Sequence, residues 1–368
     1  MTSGEPETPL ARKLKARILR EGPMSVADFV SACLADPEHG YYRRMPAIGT
    51  GGDFVTAPEI SQVFGELIGL WCAVVWQQMG APRTLNLVEL GPGRGTLIAD
   101  ALRAARIVPG FHGALAMHLV ESNAALVPLQ QAALASSGMT GTWHRGTGDA
   151  AHALSQSAAP FLIIANEFLD TCPADQYVVE NGRPILRGVG LDGTGDLAFT
   201  LLAERGPPNL PLPDGARDGD CIEIQDFGFF APFLPLFAER PGAALFIDYG
   251  AERSSPADTL QAVRRQQRCS PLAWPGEADL SFQVDFARFR TSVLSAPGIA
   301  VDGPVPQAAL LGQLGIVERA SRLMSANPDK AGAIEAGVQR LMAPVGMGSR
   351  FLAIGVRSDA LPPLPGFE

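Results

Sequence analysis

Three glycines alternate directly after a short apolar run that ends in an acidic residue. The acid is Glu89 and the glycines are Gly91, Gly93 and Gly95. A strand, a tight turn and a helix start in this order would let backbone N–H groups approach a nucleotide-like ligand. Because glycine loses more backbone entropy on folding than other residues do, a turn that binds nothing is the less favoured interpretation.

Three ligand templates compete for this loop. A phosphate loop requires Gly-Lys-Ser/Thr, and the loop contains no lysine. The dinucleotide fingerprint requires a glycine at its sixth position, which here is Thr96 counted from Gly91 and Ile98 counted from Gly93. The template acidic-x-Gly-x-Gly-x-Gly is matched in full, and it resembles the first motif of class I S-adenosylmethionine (SAM) methyltransferases. SAM carries a sulfonium and an ammonium but no pyrophosphate, so an acid beside the loop suits it. The predicted cofactor is therefore SAM.

Acids also follow the next two predicted strands. Glu121 follows a strand at Ala116–Val120, and we expect it to accept hydrogen bonds from ribose hydroxyls. Asp149 follows a probable strand at Thr142–Arg145, where a methyltransferase usually contacts the adenine. Either acid could instead be a helix N-cap. The cofactor role is favoured for Glu121, and the two interpretations of Asp149 stay open.

The strand predicted at Phe161–Ala165 ends in Asn166, Glu167 and, three residues later, Asp170. Two carboxylates can hold a guanidinium bidentately and orient its attacking nitrogen towards a methyl donor. Glu167 and Asp170 would share one face if this segment were helical. The alternative is that Asn166 caps a helix whose first turn favours acids, and spacing gives it nearly equal weight. The predicted catalytic residues are Glu167, Asp170 and Asn166.

The composition excludes several classes of partner. The chain has 368 residues, of which 46% are hydrophobic, and a net charge of -9, without the basic footprint of a nucleic-acid-binding protein. The most apolar helix candidate, Leu67–Val75, is too short to span a bilayer. Five scattered cysteines without a CxxC predict reduced thiols, and the histidines show no metal-binding spacing. The N-terminus has neither an apolar nor an arginine-rich leader, so we expect a cytoplasmic, bacterial protein without membrane insertion or a metal.

The order of predicted elements indicates the fold class. Strands and helices alternate from about residue 84, which predicts an α/β fold with a mostly parallel, doubly wound, Rossmann-like sheet. This core should span residues 81–368. Short strands separated by turn signals predict a β-meander insertion at about 176–225, and residues 251–345 are predicted to form a mainly helical insertion.

Residues 1–80 are predicted to form an N-terminal helical segment. Its last helix should run from about Pro58 to Met79 and cover the cofactor. Thr56 and Glu59 have the spacing of a capping box at the start of this helix.

Five blocks of sequence resemble the MidA-like methyltransferases, a family that includes a mitochondrial arginine methyltransferase of respiratory complex I assembly. The blocks are residues 52–67, 89–97, 165–170, 246–250, and 275–280 together with 284–286. The resemblance implies a class I methyltransferase fold with family-specific insertions and a protein substrate. For the mitochondrial member, it implies symmetric dimethylation of an arginine on a quinone-module core subunit of complex I.

The resemblance also implies a group of residues that close over the cofactor and frame the substrate opening. They lie in the block before the long helix, in an earlier tyrosine pair and after a late strand. The candidates are Asp53, Thr56, Glu59, Gln62, Tyr41, Tyr42, Asp248 and Tyr249. The alternatives are that Thr56 and Glu59 only form the capping box and that Tyr41 and Tyr42 pack on the core. Two other functions stay open: methylation of a small molecule or another residue type, and a SAM-binding assembly chaperone with little catalysis. NAD-dependent redox chemistry is the weakest alternative, and the oligomeric state is not predicted.

Overall fold

A computed structural model of the chain describes residues 6–43, 56–203, 212–213 and 215–367. The strands, in chain order, are β1 (Met24–Ser25), β2 (Leu85–Leu90), β3 (Leu115–Val120), β4 (Gly141–His144), β5 (Phe161–Asn166), β6 (Ala174–Glu180), β7 (Arg183–Leu191), β8 (Leu197–Leu201), β9 (Cys221–Gln225), β10 (Gly242–Ala251), β11 (Gln261–Arg264), β12 (Gln267–Cys269), β13 (Asp279–Ser281), β14 (Val284–Asp285), β15 (Ile299–Pro306) and β16 (Phe351–Ser358). The helices are α1 (Pro9–Glu21), α2 (Val26–Ala35), α3 (Ala57–Ile60), α4 (Gln62–Gln78), α5 (Thr96–Ala105), α6 (Phe111–Ala114), α7 (Val127–Ser136), α8 (Thr147–Ser155), α9 (Leu234–Glu239), α10 (Phe286–Val293), α11 (Gln307–Gln313), α12 (Ile316–Ala326) and α13 (Ala331–Met342).

The largest sheet has the strand order β15-β16-β10-β5-β2-β3-β4, with β14 paired to β10. The strands from β10 to β4 run parallel to one another, whereas β16 and β15 are antiparallel additions at one edge. The prediction of a mostly parallel Rossmann-like sheet is therefore confirmed.

Both faces of this sheet are covered, which explains the continuous apolar strands. Along β2, Leu85 and Leu87 belong to one hydrophobic core, and Val88 and Leu90 belong to another. Successive side chains point to opposite faces of a strand, so each face needs its own layer. The first core is completed by α4, α5, α11, α12 and α13, and the second by α8, α9, α10 and the short helix at Gly228–Phe233.

A third core lies away from the main sheet. It joins α1 and α2 to two smaller antiparallel sheets, β1-β7-β6-β9 with β8 on β7, and β12-β11-β13. Thr8 caps α1 by accepting from the N–H of Ala11, and Ser25 caps α2 by accepting from that of Asp28. The first 80 residues are thus divided between two cores, since α4 packs on the main sheet and α1 and α2 do not.

Residues 251–345 differ from the mainly helical insertion that the sequence predicts. Helices α10 to α13 begin only at Phe286, β11 to β14 precede them, and β15 joins the main sheet. The β11–β12 hairpin turns through Arg265 and Gln266, whose φ angles are 53° and 62°. Such turns normally carry Asn-Gly or a similar signal, and this one does not.

The long helix predicted from Pro58 to Met79 is interrupted. Ser61 is extended, with φ -155° and ψ 127°, and separates α3 from α4. The predicted capping box is also wrong, because the Thr56 side chain makes no cap hydrogen bond. The carboxylate of Glu59 instead accepts from the hydroxyl of Thr96 at 2.5 Å, which ties α3 to the start of α5.

Candidate active site

A cavity of about 420 Å³ lies at the carboxyl ends of the parallel strands. Ligands of open α/β sheets bind at this edge. Eight of the predicted site residues line the cavity, namely Gly91, Gly93, Glu121, Glu167, Asp170, Tyr42, Thr56 and Tyr249. A smaller chamber of about 70 Å³ shares Thr56, Gly91, Gly93 and Glu167 with the cavity. Its other lining residues include Glu59, Glu89 and Asn166.

Gly91 and Gly95 of the loop require glycine for different reasons. Gly91 has a φ of +64°, and a Cβ atom there would lie 2.9 Å from the ring of Phe168. Both the turn and the close approach therefore require glycine. Gly95 has a φ of +82°, and a Cβ atom there would lie 2.9 Å from the side chain of Ala133 in α7. Gly95 thus allows α7 to pack on the loop and lines neither chamber.

Glu121 is held in place by two donors. One carboxylate oxygen accepts from the N–H of Asn123 at 2.7 Å, and the other accepts from Nε2 of Gln130 at 2.9 Å. The same Nε2 donates to the carbonyl of Gly93 at 2.8 Å, while Trp143 donates to Oε1 of Gln130. Burial raises the pKa of Glu121. The fully buried Gln130 therefore fixes the acid relative to the glycine loop.

Two residues that line the smaller chamber each carry a buried acceptor oxygen. Oε2 of Glu89 and Oδ1 of Asn166 have no hydrogen-bond partner within the described ranges. Burial, assisted by the charge of Glu121, raises the pKa of Glu89 to about 8. A buried acceptor without a donor is costly, so this chamber favours a ligand that brings N–H groups.

Glu167 has a backbone conformation that is rare for a residue with a side chain. Its φ is +52°, which costs on the order of 1–3 kcal/mol and is typical of functional sites. Oε1 accepts from the N–H of Ala57 at 2.7 Å and from Nδ2 of Asn166 at 3.1 Å. Burial raises the pKa of Glu167 to about 7. The side chain thus lines the cavity and holds the start of α3.

Asp170 lies on a short 3₁₀ helix, Leu169–Thr171, and not on the helical face that its spacing from Glu167 suggested. Asp248 is fully buried beneath this turn and accepts from the N–H groups of Leu169 at 2.7 Å and Asp170 at 3.1 Å. Burial raises the pKa of Asp248 to about 7. The pKa of Asp170 is also raised, chiefly by burial and further by the charges of Asp248 and Asp279. Asp248 therefore shapes the turn, and Asp170 lines the cavity.

The predicted tyrosines differ in position. The hydroxyl of Tyr42 donates to Oδ1 of Asp279 at 3.2 Å, and both residues line the cavity. The hydroxyl of Tyr249 is hydrogen-bonded to Ser281 at 3.1 Å and to Gln261 at 2.5 Å. Tyr41 is buried in the third core and is not a lining residue.

Three other predicted residues also lie outside the main cavity or outside the described residues. Asp149 is exposed in the first turn of α8, which has Gly146 at its N-cap, so Asp149 is neither a cap nor a lining residue. Gln62 is exposed and donates to Glu66 at 3.2 Å. Asp53 lies outside the described residues.

Comparison with known proteins identifies the family. Residues 67–305 match the sequence model of a family of S-adenosyl-L-methionine-dependent methyltransferases. The chain belongs to this family. The resemblance to MidA-like methyltransferases is thereby confirmed, and SAM is the cofactor of this methyltransferase.

Named relatives cover most of the chain. It is 32% identical to the mitochondrial protein arginine methyltransferase NDUFAF7 of Homo sapiens, over 94% of this chain and 82% of that protein. The NDUFAF7 homolog of Drosophila melanogaster is also 32% identical, over 93% of this chain and 83% of that protein. A superfamily member from Burkholderia thailandensis, solved with S-adenosyl-homocysteine, has the same fold, with a TM-score of 0.82 and 23% identity over 99% of this chain and 97% of that chain.

The donors and acceptors of this methyltransferase fit SAM. The unpartnered oxygens of Glu89 and Asn166 would accept from the ammonium of SAM, and Glu121 would accept from its ribose. Nothing in the described part of the chain groups three or more metal ligands, and none of its helices is long and apolar enough to cross a membrane.

Sequence reasoning missed several lining residues. Phe168 packs on Gly91, Asp279 accepts from Tyr42, and Arg145 and Thr147 line the cavity after β4, whereas Asp149 does not. Asp279 is part of a block that carries the family resemblance, so that block was a usable signal. The same holds for Phe168, which lies in the block 165–170, although its residue type alone does not distinguish it from an ordinary core residue.

Proposed function

We propose that this methyltransferase is a protein arginine N-methyltransferase. The observation that supports the proposal most is that Glu167 and Asp170 line the same cavity as Gly91 and Glu121. Two carboxylates beside a SAM site suit a planar cation with several N–H donors. The mitochondrial relatives at about 32% identity are named protein arginine methyltransferases, which supports the same substrate class.

SAM, when bound, supplies a methyl group that is already activated towards a nucleophile. Glu167 and Asp170 accept hydrogen bonds from the guanidinium and orient one of its terminal nitrogens towards that methyl group. Since burial raises the pKa of Glu167 to about 7, the arriving cation shifts this carboxyl to its charged form. The N–C bond would form as the S–CH3 bond of the donor breaks, which leaves S-adenosyl-homocysteine, and the Glu167 carboxylate would accept the proton that the nitrogen loses.

The family resemblance supports a narrower substrate. We propose that the acceptor is an arginine on a core subunit of respiratory complex I, methylated during assembly, and that the product is the symmetric dimethyl form. The five cysteines form no disulfide and are buried or half-buried, which is consistent with a reducing, cytoplasmic location.

Labelled methyl transfer from SAM into proteins of the source cell's lysate tests this function. We expect one dominant labelled polypeptide, with the label on an arginine and little label when Glu167→Gln replaces the wild-type enzyme. Label on another residue type or a small molecule would establish the alternative methyltransferase activity. SAM binding without transfer to any acceptor would instead favour an assembly chaperone.

A further inference from the structure

Asp279 approaches the cavity from a different part of the chain than Glu167 and Asp170 do. It begins β13 of the small three-stranded sheet, where it pairs in register with Val263 of β11. At the other end of β13, the N–H of Phe282 donates to the carbonyl of Asp170 at 3.0 Å. The short strand is therefore fixed to the turn that carries Asp170.

The N-terminal layer packs closely on the loop that precedes Asp279. The hydroxyl of Thr8 donates to the carbonyl of Pro275 at 2.8 Å. Gly276 has a φ of +75°, and a Cβ atom there would lie only 2.2 Å from the carbonyl oxygen of His39. Only glycine fits this contact, which places the loop directly against the chain that leads to Tyr42.

Tyr42 joins these two segments at the cavity. Its hydroxyl donates to Oδ1 of Asp279 at 3.2 Å, and its ring packs edge-on against Tyr41 in the third core. The next residue, Arg43, donates to the carbonyl of Ser122 at 2.6 Å and so fixes the segment to the loop after β3. We call the pair Tyr42 and Asp279 the outer wall.

We propose that Asp279, held by Tyr42, is a specificity-determining residue that binds the guanidinium of the substrate together with Glu167 and Asp170, which line the same cavity. The proposal rests on the proposed arginine substrate. A guanidinium has five N–H donors on its rim, more than two carboxylates on one side can satisfy. A third carboxylate in the same cavity would accept from N–H groups that the other two leave over, and three negative charges favour a cation over a neutral isostere of the same shape.

The test compares N-acetyl-arginine amide with N-acetyl-citrulline amide, which has the same shape without the charge. Binding is measured calorimetrically to the full chain saturated with S-adenosyl-homocysteine. The wild-type protein should prefer the arginine amide, and Asp279→Asn should reduce that preference by about 10- to 100-fold. Tyr42→Phe should reduce the preference by only about 2- to 5-fold, because the variant loses one hydrogen bond from a neutral donor and keeps the charge of Asp279.

The matched control is Glu277→Gln. Glu277 lies on the same loop, pairs with Arg264 at 3.1 Å and is not a lining residue. Its variant should keep the wild-type preference, and all variants should keep their affinity for S-adenosyl-homocysteine. If the wild-type protein did not distinguish the two amides, the arginine substrate would be wrong. If it did, and Asp279→Asn distinguished them equally well, only the role of Asp279 would be wrong.

Discussion

The two sides of the cavity are built from different parts of the chain. The inner side, with Gly91, Gly93 and Glu121, comes from loops that directly follow strands of the main sheet. The outer wall of Tyr42 and Asp279 comes from segments 237 residues apart that meet through the third core. The inner side therefore depends on a local turn, and the outer wall depends on tertiary packing.

The difference shows in how the acids are held. Glu121 receives its hydrogen bonds from Asn123 and Gln130, both within nine residues. Asp279 accepts from Tyr42, which is distant in sequence and packs on the third core with the small sheet that carries Asp279. We infer that substitutions on the inner side change SAM binding, whereas substitutions in the outer wall change acceptor choice with the cofactor retained.

The largest expected effect is that of Gly91→Val. A branched side chain at a φ of +64°, with a ring atom 2.9 Å from the Cβ position, cannot be accommodated without moving the loop. Affinity for SAM should fall by at least about 100-fold in calorimetry. Gly113→Ala is the control, because a Cβ atom there would meet nothing within 4 Å. Retained SAM binding in Gly91→Val would mean that the glycine loop is not the cofactor site.

Glu167→Gln should separate binding from chemistry. Its affinity for SAM should stay within about 3-fold of the wild-type value, while kcat for methyl transfer falls by about 100-fold. The pKa of Glu167 is raised to about 7, so the wild-type kcat/KM should fall as the pH falls through about 7 and the carboxylate is protonated. This pH dependence should be weaker in the variant. Equal rates for both proteins at pH 8 would remove Glu167 from the reaction.

The sequence predicts the inner side well for a physical reason. Gly91, Gly93 and Glu121 follow strands, and the carboxyl ends of parallel strands meet at one edge of a sheet. The sequence does not place Asp170, because its turn is shaped by hydrogen bonds to Asp248, 78 residues away.

The predictions that were wrong failed because tertiary contacts took precedence over local sequence patterns. Glu59 and Thr56 have the spacing of a capping box, but tertiary contacts to Thr96 and Glu167 take precedence over the local pattern. Asp149 follows a strand as expected, yet its position in the first turn of α8 leaves it exposed. A local pattern thus identified the residue types at this edge of the sheet, while packing decided which of them line the cavity.

Glu89→Gln should have opposite effects on stability and on cofactor binding. In the ligand-free protein the pKa of Glu89 is raised to about 8, so its charged form destabilises the fold as the pH rises from about 4.5 through 8. The unfolding free energy of the variant minus that of the wild-type protein should therefore increase by about 2–4 kcal/mol from pH 5 to pH 9. Its affinity for SAM should fall by about 10-fold. Denaturant titrations at the two pH values check this, and a difference that does not change with pH would contradict the burial of a charge at Glu89.

The smallest expected effect, that of Gln130→Met, tests whether α7 positions Glu121. The variant removes the donor to Glu121 and Gly93 without changing the side-chain volume much, so SAM affinity should fall by about 3- to 10-fold. S-adenosyl-homocysteine and its 2′-deoxy analogue make the test specific, because only a misplaced Glu121 would reduce the preference for the intact ribose. Gln131→Met, at the exposed neighbouring position of the same helix, is the control. If both variants kept the wild-type preference, the N–H of Asn123 would be enough to position Glu121. The inner side would then depend on the local turn after β3 and not on the packing of α7.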